Sequence, residues 1–138
     1  MSHFTKMEVC ALQKNESELV ASLENHFGKG SVEVCDQARK LNGYDERANK
    51  KAHVIVGQDA IRKTERSSAY NELGFERTKT GGYTLHYDAM DIKKPSLDKV
   101  MQDYAERVAT KTMKAKGFTM KREAQKDGTV KLSFSRFA

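Results

Sequence analysis

Two stripes of apolar side chains at helical spacing, each closed by a glycine, stand in a chain that otherwise alternates at the period of a β-strand. The first is Leu19, Val20, Leu23 and Phe27, followed by Gly28; the second is Leu97, Val100, Met101, Tyr104, Val108 and Thr112, ending before Gly117. A helix with one apolar stripe must bury it, and the segments flanking both stripes are β-favouring runs. Two amphipathic helices and a sheet therefore have to share a core.

The elements follow from local chemistry. Residues 5–12 read as a strand, and Asn15 with Glu18 three positions later has capping-box spacing, so the first helix is expected to start there and stop near Phe27, with Gly28 as a left-handed cap. Residues 31–35 alternate as a half-buried strand. The polar stretch 37–51 is the longest expected loop. Residues 52–56, Ala-His-Val-Ile-Val, read as a central strand, and residues 57–71 as a loop or a short helix. Segments 73–78 and 83–87 flank Lys79-Thr80-Gly81-Gly82 as a hairpin that sets Tyr83, Leu85 and Tyr87 on one face. The second helix is expected from a Ser96 cap after Pro95 to about Lys116, with Asp98 at its positive end and Lys111, Lys114 and Lys116 at its negative end. Segments 118–124 and 129–137 then flank Lys126-Asp127-Gly128, a second hairpin.

Strand-helix-strand-strand thus occurs twice, over residues 4–57 and 82–138, as a duplicated unit without sequence identity. The expected fold is a single α+β domain over residues 1–138. Its sheet is mainly antiparallel with both helices on one face, in the ferredoxin-like manner. With 138 residues, 38% of them hydrophobic, the chain can fill one such core. No apolar run nears the ~20 residues of a membrane span, and Met1-Ser2-His3-Phe4-Thr5-Lys6 lacks the order of a secretory signal, so a cytoplasmic protein is expected.

Charge is unevenly placed. Residues 1–88 hold 13 Lys+Arg against 13 Asp+Glu, and residues 89–138 hold 12 against 6, which accounts for the whole net charge of +6. Lys111, Lys114, Lys116, Lys121, Arg122, Lys126, Lys131 and Arg136 form the candidate surface. Such a set is either a solvated helix face or a patch that attracts nucleic acid or an acidic protein by counterion release. Phe134 and Phe137 fall in alternate registers of the last strand, which lets one of them face outward for base stacking. Gly43 and Tyr44, in the polar stretch, are a candidate loop for docking a protein partner.

Catalytic chemistry finds little support. Cys10 and Cys35 both fall in expected strands as free, apolar-like thiols, too few for a disulfide scaffold. They could converge with His53 and His86 on zinc, but nothing in their spacing enforces it. Gly28-Lys29-Gly30-Ser31 follows a helix and leads into a strand, the reverse of a phosphate-cradling loop. Asp98, Asp103 and Glu106 share one helix with Lys and Arg and read as surface pairs. No nucleophile elbow occurs. The residues therefore give no catalytic assignment, no metal and no cofactor.

Several short motifs, in order, resemble one family. They are Met1-Ser2-His3-Phe4; Gly43-Tyr44 leading into Ala52-His53-Val54-Ile55-Val56; Leu73-Gly74-Phe75 before Gly82-Tyr83-Thr84-Leu85; Asp103-Tyr104-Ala105; Lys116-Gly117-Phe118; and Asp127-Gly128-Thr129-Val130-Lys131-Leu132. Together they resemble the domain-of-unknown-function family twelve fifty-seven, which includes a plastid hypothetical reading frame. The resemblance implies cyanobacterial, plastid or phage relatives, so a plastid stroma or a phage-infected cell joins the expected locations. It implies an accessory role beside an AAA-type ATPase and carries over no catalytic residue. Phe137 after Arg136 stands where the family pattern has tryptophan. The function expected is a small non-enzymatic adaptor that binds a protein partner. The alternative is an RNA or single-stranded DNA binder using the basic C-terminal helix and hairpin.

Overall fold

The computed structural model of the chain describes residues 5–43 and 50–136. In chain order the elements are β1 (Thr5–Val9), a 3-10 turn (Gln13–Asn15), α1 (Glu16–Phe27), β2 (Val32–Lys40), β3 (Lys51–Val56), α2 (Gln58–Glu65), β4 (Leu73–Arg77), β5 (Tyr83–Tyr87), α3 (Lys94–Ala115), β6 (Phe118–Ala124) and β7 (Val130–Arg136). The first five strands make one antiparallel sheet in the order β1-β5-β4-β3-β2, and among the described residues β6 and β7 pair only with each other. Strands β2 to β5 are thus a meander. Because β1 pairs with β5 at one edge and β2 lies at the other, the connection through α1 leads from one side of the sheet to the opposite side.

Register shows why the core forms. Met7 faces Leu85, Leu85 faces Phe75 and Phe75 faces Val54, so one row of apolar side chains crosses four strands on one face. That face meets Leu19, Leu23 and Phe27 of α1, Ile61 of α2, and Leu97, Val100 and Tyr104 of α3 in a single cluster. All three helices therefore pack on the same face of an α+β sheet, as the two stripes required. Tyr83, Leu85 and Tyr87 do share that face. On the other side Leu41, Ala52 and Ile55 form a satellite cluster with Cys35.

Local differences from the sequence reading have physical reasons. Asn15 makes no side-chain cap bond, because the 3-10 turn occupies residues 13–15 and α1 begins at Glu16. Ser96 lies inside α3, which starts at Lys94 with Pro95 in the first turn, where a missing N–H leaves no ladder bond unmade. Thr112 is exposed, since the buried part of α3 ends at Tyr104. β2 runs on to Lys40, five residues beyond the alternating run, by way of a register shift between Val34 and Arg39. Cys10 lies just past β1 and is exposed, and both thiols are free, on opposite edges of the sheet. The segment left open between loop and helix holds α2, which ends at Arg66 in a left-handed conformation. The repeated element order is present as β1-α1-β2-β3 and β5-α3-β6-β7, with the second hairpin forming a sheet of its own.

Candidate functional site: the C-terminal helix and hairpin

Past Tyr104 no described residue is fully buried: Val108 of α3 still packs against the main core, while the β6–β7 hairpin is carried outside it. Gly117 ends the helix at φ +85°, and Gly128 makes the hairpin turn at φ +88°. Asp127 holds that turn, its Oδ1 accepting from the Thr129 amide at 3.0 Å and the Thr129 hydroxyl at 2.6 Å, which keeps the Asp127 carboxyl below its ordinary pKa.

Pairing in the hairpin sorts its two faces. Met120 opposite Phe134, Arg122 opposite Leu132 and Ala124 opposite Val130 make one face, while Lys121 opposite Ser133 and Glu123 opposite Lys131 make the other. The apolar face looks toward α3 but is only half covered. Between it and the helices lies a groove of about 590 Å³ with Ala21 of α1, Arg107 and Thr110 of α3 and Met120 of β6 in its wall. A second recess of about 270 Å³, bounded by Ala105, Ala109, Val130 and Leu132, is more apolar. In the first groove the Thr110 hydroxyl is buried without a hydrogen-bond partner among the described residues.

Electrostatics refine the expected basic patch. Residues 111–136 hold eight Lys+Arg against Glu123 and Asp127, a difference of +6 that equals the net charge of the chain. Four of the eight are engaged: Lys111 with Glu18 at 3.4 Å, Arg122 with Glu106 at 2.7 Å, Lys121 with Glu123 at 3.3 Å, and Arg136 over the Phe118 ring at 5.3 Å. The Ser17 hydroxyl, and after it Lys111, holds the Glu18 carboxyl below its usual range. Lys114, Lys116, Lys126 and Lys131 have no carboxylate within ion-pair distance among the described residues. The structure thus brings the eight predicted cations onto one unit and leaves half of them unengaged. Phe134 sits on the helix-facing side of β7, so the outward side carries Thr119, Lys121, Glu123, Lys131, Ser133 and Ser135 and no aromatic ring. Phe137 lies outside the described residues.

The family model for proteins of unknown function DUF1257 matches residues 30–133. The chain belongs to the DUF1257 family. The match takes in β2 through most of β7, and so includes α3 and the hairpin, while β1 and α1 precede it. No curated protein and no solved structure matches the chain.

The remaining candidates of this DUF1257 chain fall elsewhere. Gly43 lies against Asn71, where a Cβ would overlap the Asn71 amide, and Tyr44 lies outside the described residues. The four suggested zinc ligands do not converge. His53 Nδ1 accepts the Arg77 amide at 3.0 Å, His86 Nε2 lies 2.8 Å from Glu76 Oε1, and the cysteines are at opposite edges. Among the described residues no three His, Cys, Asp or Glu side chains cluster as metal ligands. No helix among them is long and apolar enough to cross a membrane.

Two polar networks escaped the sequence reading. In the first, Arg77 grips Glu16 through Nη2 to Oε1 at 2.7 Å and Nε to Oε2 at 2.9 Å, and the Tyr83 hydroxyl donates to the same carboxylate. The Arg77 bonds hold Glu16 below its ordinary pKa, while burial, and then that carboxylate, push the Tyr83 phenol up. In the second, Asp91 Oδ2 accepts the amides of Tyr70 at 3.2 Å and Asn71 at 2.9 Å, and Asn71 Nδ2 donates to Asp88 Oδ2 at 2.7 Å. Burial raises the Asp91 carboxyl. Both networks satisfy their own donors and tie elements together, as a buried polar group requires. Their only trace in the sequence is polar residues near element ends, which carries no information about partners 17 to 67 residues away.

Proposed function

We propose that the protein is a small non-enzymatic adaptor that binds a protein partner through α3 and the β6–β7 hairpin. One observation carries the reading: residues 105–136 combine a half-covered apolar hairpin face, recesses beside it and four unengaged lysines, with no fully buried residue. A two-stranded hairpin is marginal alone, and covering its apolar face would stabilise it. An apolar centre with a charged rim is also the make-up of a protein interface. The partner surface that suits it is acidic. An AAA-type ATPase as partner, a cytoplasmic location, and a phage, cyanobacterial or plastid setting belong to this proposal on the family resemblance alone.

Affinity purification from the native host, followed by binding of the purified pair, tests it. One protein should be retained through moderate salt by the wild type and lost with Leu132→Asp, which places a charge in the apolar recess. Equal retention by that variant would remove the hairpin from the interface.

The second reading, RNA or single-stranded DNA, is favoured by the unengaged lysines. Retention on a polyanion should then fall with salt at a log–log slope of about −0.7 per phosphate neutralised. Lys114→Glu, Lys121→Glu and Arg122→Glu combined should abolish it, and unchanged binding in that variant rejects nucleic acid as the ligand of this surface.

A further inference from the structure

We infer that β1 is a self-association edge: two copies of the chain pair antiparallel through Thr5–Val9 about a twofold axis at Met7, joining their sheets into one of ten strands. β1 is bonded on its β5 side alone, and none of its outward backbone groups has a partner among the described residues. An open edge of this kind is a template for another strand. The opposite edge is guarded, since β2 is interrupted by the register shift between Val34 and Arg39 and carries Glu33, Asp36, Arg39 and Lys40. β1 has neither bulge nor proline.

Symmetry and charge select the second copy as the occupant. A twofold axis normal to the sheet keeps each side chain on its own face, and directly opposed residues share a face, so the axis must pass through a residue. Centred on Lys6 the pairing sets lysine against lysine, and centred on Glu8 it sets glutamate against glutamate. Centred on Met7, Lys6 of each copy faces Glu8 of the other, twice per dimer, while Thr5 faces Val9. Both charged side chains are exposed and neither has an ion pair within the described chain. On the helix side Met7 and Val9 already pack against the main core, so the same register brings the two cores together at Met7. This surface is separate from the hairpin and does not depend on the adaptor reading.

A junction of five residues per copy is small, so the dimer is weak and is sought at high protein concentration and low salt. Sedimentation equilibrium of the full chain up to ~500 μM should show it. Lys6→Glu and Glu8→Lys should each raise the dissociation constant about tenfold by turning both attractive pairs into repulsive ones, and the double reversal should restore it. In a background with Cys10→Ser and Cys35→Ser, Met7→Cys should oxidise to a covalent dimer, because facing Cα atoms lie ~5 Å apart, and Lys6→Cys should not. A chain that stays monomeric overturns the inference. So does a dimer that ignores both single reversals, or that cross-links equally through either cysteine.

Discussion

Gly74 shows how closely single atoms are held in this sheet. A Cβ at that position would lie 2.5 Å from Ala52 Cβ and 2.8 Å from Leu41 Cδ2, both in the satellite cluster. Overpacking of this kind costs about 1–3 kcal/mol, so Gly74→Ala should lower the urea midpoint at unchanged slope, and Leu41→Ala added to it should relieve only the Leu41 contacts and leave the closer one with Ala52. A Gly74→Ala variant as stable as wild type would mean that the sheet yields more easily than its packing implies. The clasp of Glu16 by Arg77 makes a pH prediction. Arg77 holds Glu16 below its ordinary 4.5, so the native state binds this proton less readily than the unfolded chain does. The stabilisation is complete above that ordinary value and is lost as pH falls through the lower native one. Glu16→Gln should remove this contribution and flatten the acid limb of stability against pH; an unchanged limb would show that the clasp contributes nothing.

At the scale of elements, α3 has its fully buried residues, Leu97, Val100 and Tyr104, in its first half only. Its Tyr104 hydroxyl accepts the Leu12 amide at 2.9 Å, tying the buried half of the helix to the turn after β1. Tyr104→Phe should cost about 1–2 kcal/mol, because a part-buried N–H then loses its acceptor. Beyond that point no residue is fully buried, and amides of β6 and β7 should exchange with solvent far sooner than those of Val54, Val56 and Phe75 in the central strands. Equal protection would mean that the hairpin shares the main core's stability. The elements themselves were largely legible: both helices, both hairpins and the central strand lie where periodicity and turn residues placed them, because these are local signals. The start of α1 at Asn15 was legible, but the 3-10 turn before it was not, since that turn is set by long-range contacts, Gln13 bonding the carbonyls of Thr78 and Gly82 at 2.7 and 2.8 Å. Of the candidate surface, the clustering of cations was readable. Their engagement was not, because Glu18 and Glu106 reach Lys111 and Arg122 across elements.

For the whole molecule the order of assembly follows from topology. Thr5 pairs with Tyr87, a separation of 82 residues, whereas β4 and β5 close a short hairpin. Loop-closure entropy therefore favours the meander first and β1 last. Folding kinetics should give Met7→Ala a φ-value near 0 and Phe75→Leu a clearly larger one; the reverse order would show that β1 nucleates folding. On the ribosome the same topology imposes a wait. β1 has no neighbour until its counterpart, some eighty residues later, has left the exit tunnel, so throughout that interval an apolar-sided strand must be kept from pairing with some other nascent polypeptide.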